Sequence, residues 1–285
     1  PHRRQRQMCI RDRRIFSAIF IYCFLSCAVW ADPASDQTAF KNYFYKKFPE
    51  IPVSDFINGV YAIDQKRRQQ WLEIEEFPPY GIAIDEGEIL FNETVFSDGS
   101  SYSDCFVDGK RSKKNYPYFD VNRNTVVTLE LAINDCRVSH GEQPLKYKTG
   151  DIAKISAYLA LHSRGEIIEV EVSGEAAINA YEQGKKYYYS KRGQLNFACV
   201  DCHVASSGMR IRAEILSPSL GHVSNFPVYR FKWGSIGTLH RRFSGCNSQV
   251  RVKPLAGQSE QYKNLEYFLG YMSSGLKFNG PSTRR

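Results

Sequence analysis

The sequence lacks a hydrophobic run long enough to indicate a transmembrane helix. Its longest apolar stretch, "IFSAIFIYCFLSCAV", has about fifteen residues, whereas a membrane-spanning helix needs about 20. Arg14 precedes the stretch and small residues follow up to Ala31, which is the pattern of a cleaved signal peptide. We therefore predict a signal peptide over 14–31, export, and no stable membrane insertion after cleavage. Residues 1–13 include "MCIRDR", which reads like a translated adapter and is interpreted as a sequence artefact.

The chain that follows this leader also lacks a strong excess of one charge. The full sequence has 38 basic and 30 acidic side chains and a net charge of +8. Residues 1–31 contain six of the basic side chains and one of the acidic ones, so the net charge of the remainder is +3. Nucleic-acid-binding domains usually carry a pronounced basic patch. The sequence therefore predicts no nucleic-acid partner.

Cysteines are few beyond the leader, but two of them form a specific motif. The segment "FACVDCHV" places Cys199, Cys202 and His203 in the C-x-x-C-H arrangement that attaches haem c through two thioether bonds. A zinc site would need a second cysteine or histidine pair at ligand spacing, and the sequence has none. A thioredoxin-like motif would need a βαβ context, which is also missing. The motif therefore predicts one covalently attached haem c with His203 as an axial ligand.

The sequence leaves the second axial ligand open between several residues. Met272 lies about seventy residues after the motif, where small electron-carrying cytochromes often place a ligand. It also continues the helical spacing of Leu265, Phe268 and Leu269, which favours a position in the core. The candidates are Met209, His222, His240, Cys246 and Met272.

Two parts of the chain resemble each other. Gly87 precedes Cys105 by 18 residues, and Gly184 precedes Cys202 by 18 residues. Further on, "ISAYLALHSRG" aligns with "LEYFLGYMSSG", and a cysteine lies 27 residues before the "S-R-G" and the "S-S-G" that end them. The offset between the copies is 97 residues at first and 110 after an insertion of about thirteen. The spacing indicates a duplicated domain.

The first copy lacks the haem motif. Tyr102 and Phe106 stand where the second copy has Cys199 and His203, so the first copy cannot attach haem in this way. We predict a mainly α protein with two cytochrome-c-like domains in tandem, the N-terminal one without haem. The predicted bounds are 50–165 for the haem-less domain and 174–285 for the haem-binding domain.

The duplication also assigns roles to the remaining cysteines. Cys105 and Cys136 are predicted to form a disulfide, because an exported protein meets an oxidising compartment. Cys246 is the counterpart of Cys136, so it is expected to approach the haem motif. Met272 aligns with His162, within a helix that both copies share. This comparison favours Cys246 over Met272 as the iron ligand.

The local pattern predicts mostly helices. Residues 32–50 are expected to be an extended, polar entry, 166–172 a short strand-like linker, and 204–258 loops rich in glycine, proline and serine. The predicted helices are 56–77, 84–95, 127–139, 151–164, 174–193 and about 259–272.

Three segments carry a resemblance to a known family. "YYYSKRGQLNFACVDCHV", "FPVYRFKWGSIGTLHRRFSGCNSQVR" and "NLEYFLGYMSSGL" are similar to SoxA, a subunit of the bacterial thiosulfate-oxidising cytochrome complex. The likeness covers nearly all of the mature chain and is to the single-haem form. It implies a periplasmic L-cysteine S-thiosulfotransferase that works with a small haem subunit, SoxX. The implied reaction joins thiosulfate to a cysteine of the carrier SoxYZ and releases two electrons.

The resemblance also implies site residues. Cys199 and Cys202 would bind haem, and His203 and Cys246 would be the iron ligands. Cys246 would also be the catalytic cysteine, and Arg242 would bind the substrate. The residue chemistry agrees, because cations favour a thiolate and an arginine fork suits the oxygens of thiosulfate.

Two other functions remain open from the sequence. A plain electron-transfer cytochrome c with Met272 as axial ligand would have no use for a cysteine among arginines. A haem sensor would need an output module, which the sequence lacks. The neighbouring Arg241, Arg251 and Lys253 are expected to be solvated charges or contacts to haem propionates. His222 and His240 are expected to be structural or exposed.

Overall fold

A computed structural model of the chain describes residues 32–107 and 113–284. The predicted artefact (1–13) and signal peptide (14–31) lie outside the described residues. The described chain is mainly helical with few strands, as predicted, and none of its helices is long and apolar enough to cross a membrane. Its α-helices are α1 (Pro33–Lys47), α2 (Val60–Ile63), α3 (Gln65–Glu76), α4 (Gly81–Glu93), α5 (Tyr102–Cys105), α6 (Leu129–Ser139), α7 (Asp151–His162), α8 (Glu175–Tyr189), α9 (Leu239–Gln249) and α10 (Glu260–Met272).

Short strands form three small antiparallel or mixed sheets. Strands β1 and β2 form one hairpin, β3 and β4 a second, and β5 lies between β6 and β7 in the third. Strand β5 is antiparallel to β6 and parallel to β7. The strands are β1 (Tyr118–Asp120), β2 (Thr125–Val127), β3 (Arg210–Ile211), β4 (Glu214–Ile215), β5 (Val228–Arg230), β6 (Ser235–Gly237) and β7 (Ser282–Arg284).

The expected extended entry at 32–50 is wrong, because most of it is helix α1. Asp32 caps this helix by accepting a hydrogen bond from the backbone N–H of Ala34, and Pro33 occupies its first turn. Phe40 and Phe44, one turn apart, are its buried side chains. The polar residues around them hide this narrow apolar stripe in the sequence, so tertiary packing decides the conformation.

The helix predicted over 56–77 is interrupted. It is divided into a 3₁₀ segment (Val53–Asn58) and the helices α2 and α3. Asp64 starts α3 by accepting a hydrogen bond from the backbone N–H of Arg67 at 3.1 Å. An aspartate at this position competes with a continuous helix, because its side chain satisfies the free N–H groups of a new first turn.

The prediction of loops over 204–258 is also wrong in part. The segment contains two hairpins and the eleven-residue helix α9, "LHRRFSGCNSQ". Ser244, Gly245 and Ser248 lower the helix propensity of this sequence. The helix is instead held by its neighbours, since Asn247 is buried between α8 and α10.

The sequence repeat has a structural counterpart. Strands β1 and β2 and helix α6 recur as β5, β6 and α9, each shifted by 110 residues. The strand pairing follows the same shift, with Tyr118 opposite Val127 and Val228 opposite Gly237. Helix α7 corresponds to α10 in the same way. Helix α4 comes before β1 and β2 in the chain, as α8 comes before β5 and β6.

Two glycines set the closest helix contacts in these halves. A Cβ atom at Gly87 would lie 2.2 Å from the carbonyl oxygen of Lys154, where α4 meets α7. A Cβ atom at Gly184 would lie 2.0 Å from the carbonyl oxygen of Asn264, where α8 meets α10. Lys154 and Asn264 are again 110 residues apart. Only glycine permits the helix backbones to approach this closely.

The core consists of two apolar clusters, and each contains one buried residue from the hairpin of the opposite half. One contains the inner faces of α1, α8 and α10, and the other those of α4, α6 and α7. Val126 of β2 packs in the first cluster, and Ile236 of β6 packs in the second. Each hairpin therefore covers the core of the opposite half, which joins the halves through buried apolar surface.

The predicted disulfide between Cys105 and Cys136 is confirmed. Their Cα atoms are 5.9 Å apart, and the bond joins α5 to α6. His140 lies close enough to the two sulfur atoms for the three residues to resemble a metal-binding group. Sulfur atoms joined in a disulfide are not thiolates, however, and Nδ1 of His140 lies 2.6 Å from Asp98. The group is therefore structural.

Removing this disulfide should destabilise the protein. The bond closes a loop with a sequence separation of 31. Loss of a crosslink of this length lowers the free energy of unfolding by about 3 kcal/mol, because the unfolded chain gains entropy. We expect this loss in the double variant Cys105→Ala/Cys136→Ala, measured by urea denaturation against the wild type. An unchanged urea midpoint would show that the bond does not stabilise the fold.

Candidate haem and thiosulfate site

Helix α9 carries two of the predicted site residues. Arg242 and Cys246 are four residues apart, so they lie on one face of the helix, one turn from each other. The side chain of His203 lies close enough to the thiol of Cys246 to help lower its pKa. The structure therefore brings together the cysteine and the histidine that the sequence proposed as axial ligands.

His203 lies in a π-helical turn (Asp201–Ala205) that begins two residues after Cys199 and also contains Cys202. Its Nδ1 atom lies 3.0 Å from the backbone oxygen of Ser217. This contact orients the ring and leaves Nε2 for a ligand, as in metal-binding histidines. The ring of His222 packs edge-on against it at 4.4 Å, and Nε2 of His222 lies 2.9 Å from Oγ of Ser217. His222 is thus a partly buried supporting residue, and burial followed by the charge of His203 keeps its pKa well below the usual value.

The two motif cysteines are free thiols. Cys199 and Cys202 are half-buried, and neither forms a disulfide. Burial raises the pKa of Cys199 to about 11, although the charge of Arg192 opposes the shift. The guanidinium of Arg192 stacks on the ring of Tyr187 at 3.8 Å, with Nη1 3.7 Å from the sulfur of Cys199. Burial therefore disfavours the thiolate form at Cys199 and Cys202.

Cys246 has a different electrostatic environment. Burial by itself would raise the pKa of its thiol. The positive charge of Arg242 has the larger opposing effect, and a hydrogen bond from His203 adds to it. The charge of Arg230 acts in the same direction, and together these groups lower the pKa of Cys246 to about 7. Among the three free cysteines of the described chain, the thiolate, which is the nucleophilic and iron-binding form, is therefore favoured only at Cys246.

Hydrogen bonds from the residue next to Cys246 fix the position of helix α9. Asn247 donates from Nδ2 to the hydroxyl groups of Tyr187 and Tyr262, each at 2.8 Å. Near the start of the helix, buried His240 lies 3.1 Å from Glu266 through Nε2, and its Nδ1 accepts from the backbone of Gln258. These contacts tie α9 to α8 and α10 and hold the thiol at one position.

The other candidate ligands have different surroundings. Met272 is 1% exposed and packs in the first apolar cluster, as the helical spacing predicted. Met209 is 62% exposed on the surface. His240 is buried and structural through its pair with Glu266, as expected.

Several residues near the site were not singled out from the sequence, and Arg241 makes contacts other than those predicted for it. Arg230, Lys232 and Trp233 line a cavity of about 270 Å³ together with Arg242. Arg241, expected to be a solvated charge or propionate contact, instead stacks on the ring of Trp233 at 4.2 Å and donates to Oγ of Ser235 at 2.9 Å. The segment "YRFKW", with three of these residues and two aromatic neighbours, is the signal that could have located the cavity.

Known proteins are similar to this chain in sequence and in structure. The family described as "SoxA/TsdA, cytochrome c domain" matches residues 86–168. The L-cysteine S-thiosulfotransferase subunit SoxA of Allochromatium vinosum is 54% identical over 257 residues, which cover 90% of this chain and 91% of that protein. The chain belongs to the SoxA family. The SoxA subunit of Chlorobaculum tepidum is 52% identical over 88% of this chain and 87% of its own length. The crystal structure of SoxXA from Paracoccus pantotrophus superimposes with a TM-score of 0.67 and 28% identity, over 73% of this chain and 79% of that one.

A cytochrome c domain in a SoxA-family chain implies haem c, and the residues here fit that group. Two unpaired thiols at C-x-x-C spacing are available for thioether bonds. An imidazole with one nitrogen already oriented by Ser217 follows them directly. A third thiol, that of Cys246, faces this imidazole. These groups could therefore attach a haem covalently through two thiols and supply its iron with two protein ligands.

Proposed function

We propose that this chain catalyses the oxidative coupling of thiosulfate to a cysteine of a carrier protein of the SoxYZ type. The observation that carries the proposal is the position of the Cys246 thiol, which contacts His203 and lies within the positive field of Arg242. An electron carrier without chemistry of its own has no need of a thiol in such a field. A sulfur oxyanion, by contrast, is attracted to the field and can react with the thiol.

The proposed reaction has two balanced steps. In the first, the thiolate of Cys246 and the outer sulfur of thiosulfate form a sulfur–sulfur bond, and two electrons leave. In the second, a thiolate of the carrier attacks that outer sulfur, takes over the thiosulfate group and releases the thiolate of Cys246. Arg242 would hold the sulfonate oxygens through both steps, since a guanidinium fork binds such oxygens with two charge-assisted hydrogen bonds.

One haem c is proposed for this chain, attached to Cys199 and Cys202, with His203 and Cys246 as iron ligands. When bound, it supplies a one-electron acceptor beside the reacting thiol. The count of one rests on the single C-x-x-C-H motif. Intact-mass measurement of the purified subunit should therefore give the mass of the chain plus one haem. A mass with two haems, or none after expression with a cytochrome c maturation system, would contradict this assignment.

The two structurally similar halves are proposed to be tandem cytochrome-c-like domains, over 50–165 and 174–285. The family match at 86–168 supports this for the first half. In that half Tyr102 is 1% exposed and Phe106 is 3% exposed, and both rings pack on Phe91 at less than 6 Å. Aromatic side chains thus occupy the positions that correspond to Cys199 and His203, which supports a haem-less first domain.

A small SoxX-like haem subunit is the proposed partner, and the periplasm the proposed compartment. Two electrons leave in each coupling event, whereas one haem accepts only one, so a second acceptor is needed. The structural similarity is to a chain of a SoxXA complex, which supports this partner. The disulfide and the signal-peptide pattern support export.

Reconstitution tests the proposed function directly. The purified complex with its haem partner would be mixed with oxidised electron acceptor, thiosulfate and a SoxYZ carrier. We expect the carrier subunit to gain the mass of one thiosulfate, together with reduction of the acceptor by two electrons per coupling. Blocking the carrier cysteine is the control and should prevent both changes. Full coupling by the isolated subunit without a haem partner would refute the need for SoxX.

A further inference from the structure

The cavity beside helix α9 has two walls, and only one of them carries a residue already assigned to the substrate. Its volume is about 270 Å³. Arg242 and Ser248 belong to the α9 wall, whereas Arg230, Lys232 and Trp233 belong to the hairpin of β5 and β6. Three cations therefore line the cavity, and none of the described lining residues is acidic. Such a surface favours a small anion with more than one negative charge.

Arg230 is held rigidly on its side of this cavity. It ends the central strand β5, opposite Ser235 on β6 and Arg284 on β7. Its guanidinium lies 5.5 Å from the ring of Trp233. A residue fixed by a strand between two neighbours presents its side chain with less conformational freedom than one on a loop.

The tryptophan of this wall is also fixed. The guanidinium of Arg241, on helix α9, stacks on the ring of Trp233 at 4.2 Å. A Cβ atom at Gly237 would lie 2.5 Å from Cδ of Arg241 and 2.8 Å from the Trp233 ring, so glycine is required for this packing. The wall is therefore preformed before any anion enters.

Arg230 and Arg242 act on each other and on the same thiol. Burial lowers the pKa of Arg230 to about 10, and the positive charge of Arg242 contributes to that shift. Both guanidinium groups also stabilise the thiolate of Cys246. Two like charges facing one small cavity repel each other, and an anion between them relieves the repulsion.

We propose that Arg230 is a second substrate-binding residue, which holds the sulfonate end of thiosulfate together with Arg242. Two forks from different elements fix the direction of the anion as well as its position. With the sulfonate oxygens held between β5 and α9, the outer sulfur is the atom left to face Cys246. This inference rests on the proposed function, because it takes thiosulfate as the substrate.

Anion titration tests the role of Arg230 without turnover. Thiosulfate and the monoanion methanesulfonate would be titrated calorimetrically into the reduced complex with its haem partner, in the absence of carrier. We expect Arg230→Gln to weaken thiosulfate binding by roughly 10- to 100-fold, the effect of losing charge-assisted hydrogen bonds. Arg230→Lys keeps the charge without the fork and should give an intermediate loss. Arg210→Gln, on an exposed residue outside the cavity, is the matched control and should bind as the wild type does.

Selectivity separates a binding role from a structural one. Damage to the hairpin would weaken both anions equally, whereas loss of a binding charge lowers the preference for the dianion over the monoanion. An Arg230→Gln variant with unchanged thiosulfate affinity and unchanged preference would overturn the inference, even if the wild-type complex couples thiosulfate to its carrier. Failure of the wild type to couple, with binding that still depends on Arg230, would instead refute the proposed function and leave the anion site in place.

Discussion

Replacing Cys246 by alanine is expected to abolish coupling of thiosulfate to the carrier while leaving haem attached. The attachment residues Cys199, Cys202 and His203 are unchanged in this variant. No other cysteine of the described chain can replace the thiol, because Cys105 and Cys136 are bonded to each other and Cys199 and Cys202 are assigned to haem attachment. Loss of a covalent nucleophile lowers turnover by at least about 10³-fold. The measurement is the rate at which the carrier gains thiosulfate mass.

The same variant should change the haem itself. With Cys246 as the proposed iron ligand, removal of its thiolate takes negative charge from the iron, so we expect the reduction potential to rise and the electron paramagnetic resonance spectrum of the oxidised protein to change. Ser244→Ala is the control on the same helix, since the Ser244 hydroxyl donates to the carbonyl of His240 one turn earlier, within α9 itself. It should retain both the spectrum and the turnover. A Cys246→Ala protein with native spectrum and full turnover would make the thiol a bystander and return Met272 as the ligand.

Parts of this architecture could be predicted because they depend on short, rigid spacings. The C-x-x-C-H motif needs no tertiary information, and the duplicated spacing of glycines and cysteines was enough to pair Cys105 with Cys136. The bounds of α10 followed from a strict apolar period, and Met272 lies in the core as that period indicated.

Other parts depend on contacts that the local sequence does not encode. Helix α9 was expected to be loop, because its serines and glycine weaken the helical pattern and its stability comes from Asn247 between two distant tyrosines. Helix α1 was missed for the same physical reason, since only Phe40 and Phe44 are buried in it. Arg230 becomes part of a cavity only when its strand pairs with its neighbours on both sides. Contacts between residues far apart in the sequence therefore determine these two helices and the position of Arg230, and the local sequence pattern does not contain them.

The other large effect is expected at Gly184, where the two helices beneath the haem site touch. In Gly184→Ala the new Cβ atom would lie 2.0 Å from the carbonyl oxygen of Asn264 and 2.9 Å from Cβ of Phe268. Backbone cannot rotate away as a side chain can, so α8 and α10 must move apart. We expect the free energy of unfolding to fall by about 3 kcal/mol, at the upper end of the usual cost of overpacking. Urea denaturation measures the loss.

Two matched variants are the controls for Gly184→Ala. One tests whether alanine in a helix changes stability by itself, and the other tests whether the same clash affects the haem spectrum when it occurs in the other half of the fold. Gly81→Ala lies in α4 with nothing within 4 Å of its Cβ, so it should leave stability unchanged or raise it slightly through helix propensity. Gly87→Ala makes the equivalent clash with Lys154 in the half without the motif, and should destabilise without changing the haem spectrum. Gly184→Ala should change that spectrum as well, because Tyr187 and Tyr262, on the two separated helices, both hold Asn247 beside Cys246. Equal urea midpoints for Gly184→Ala and Gly81→Ala would mean that the helices do not approach closely at Gly184, and the rigid support proposed for the thiol would be lost with that contact.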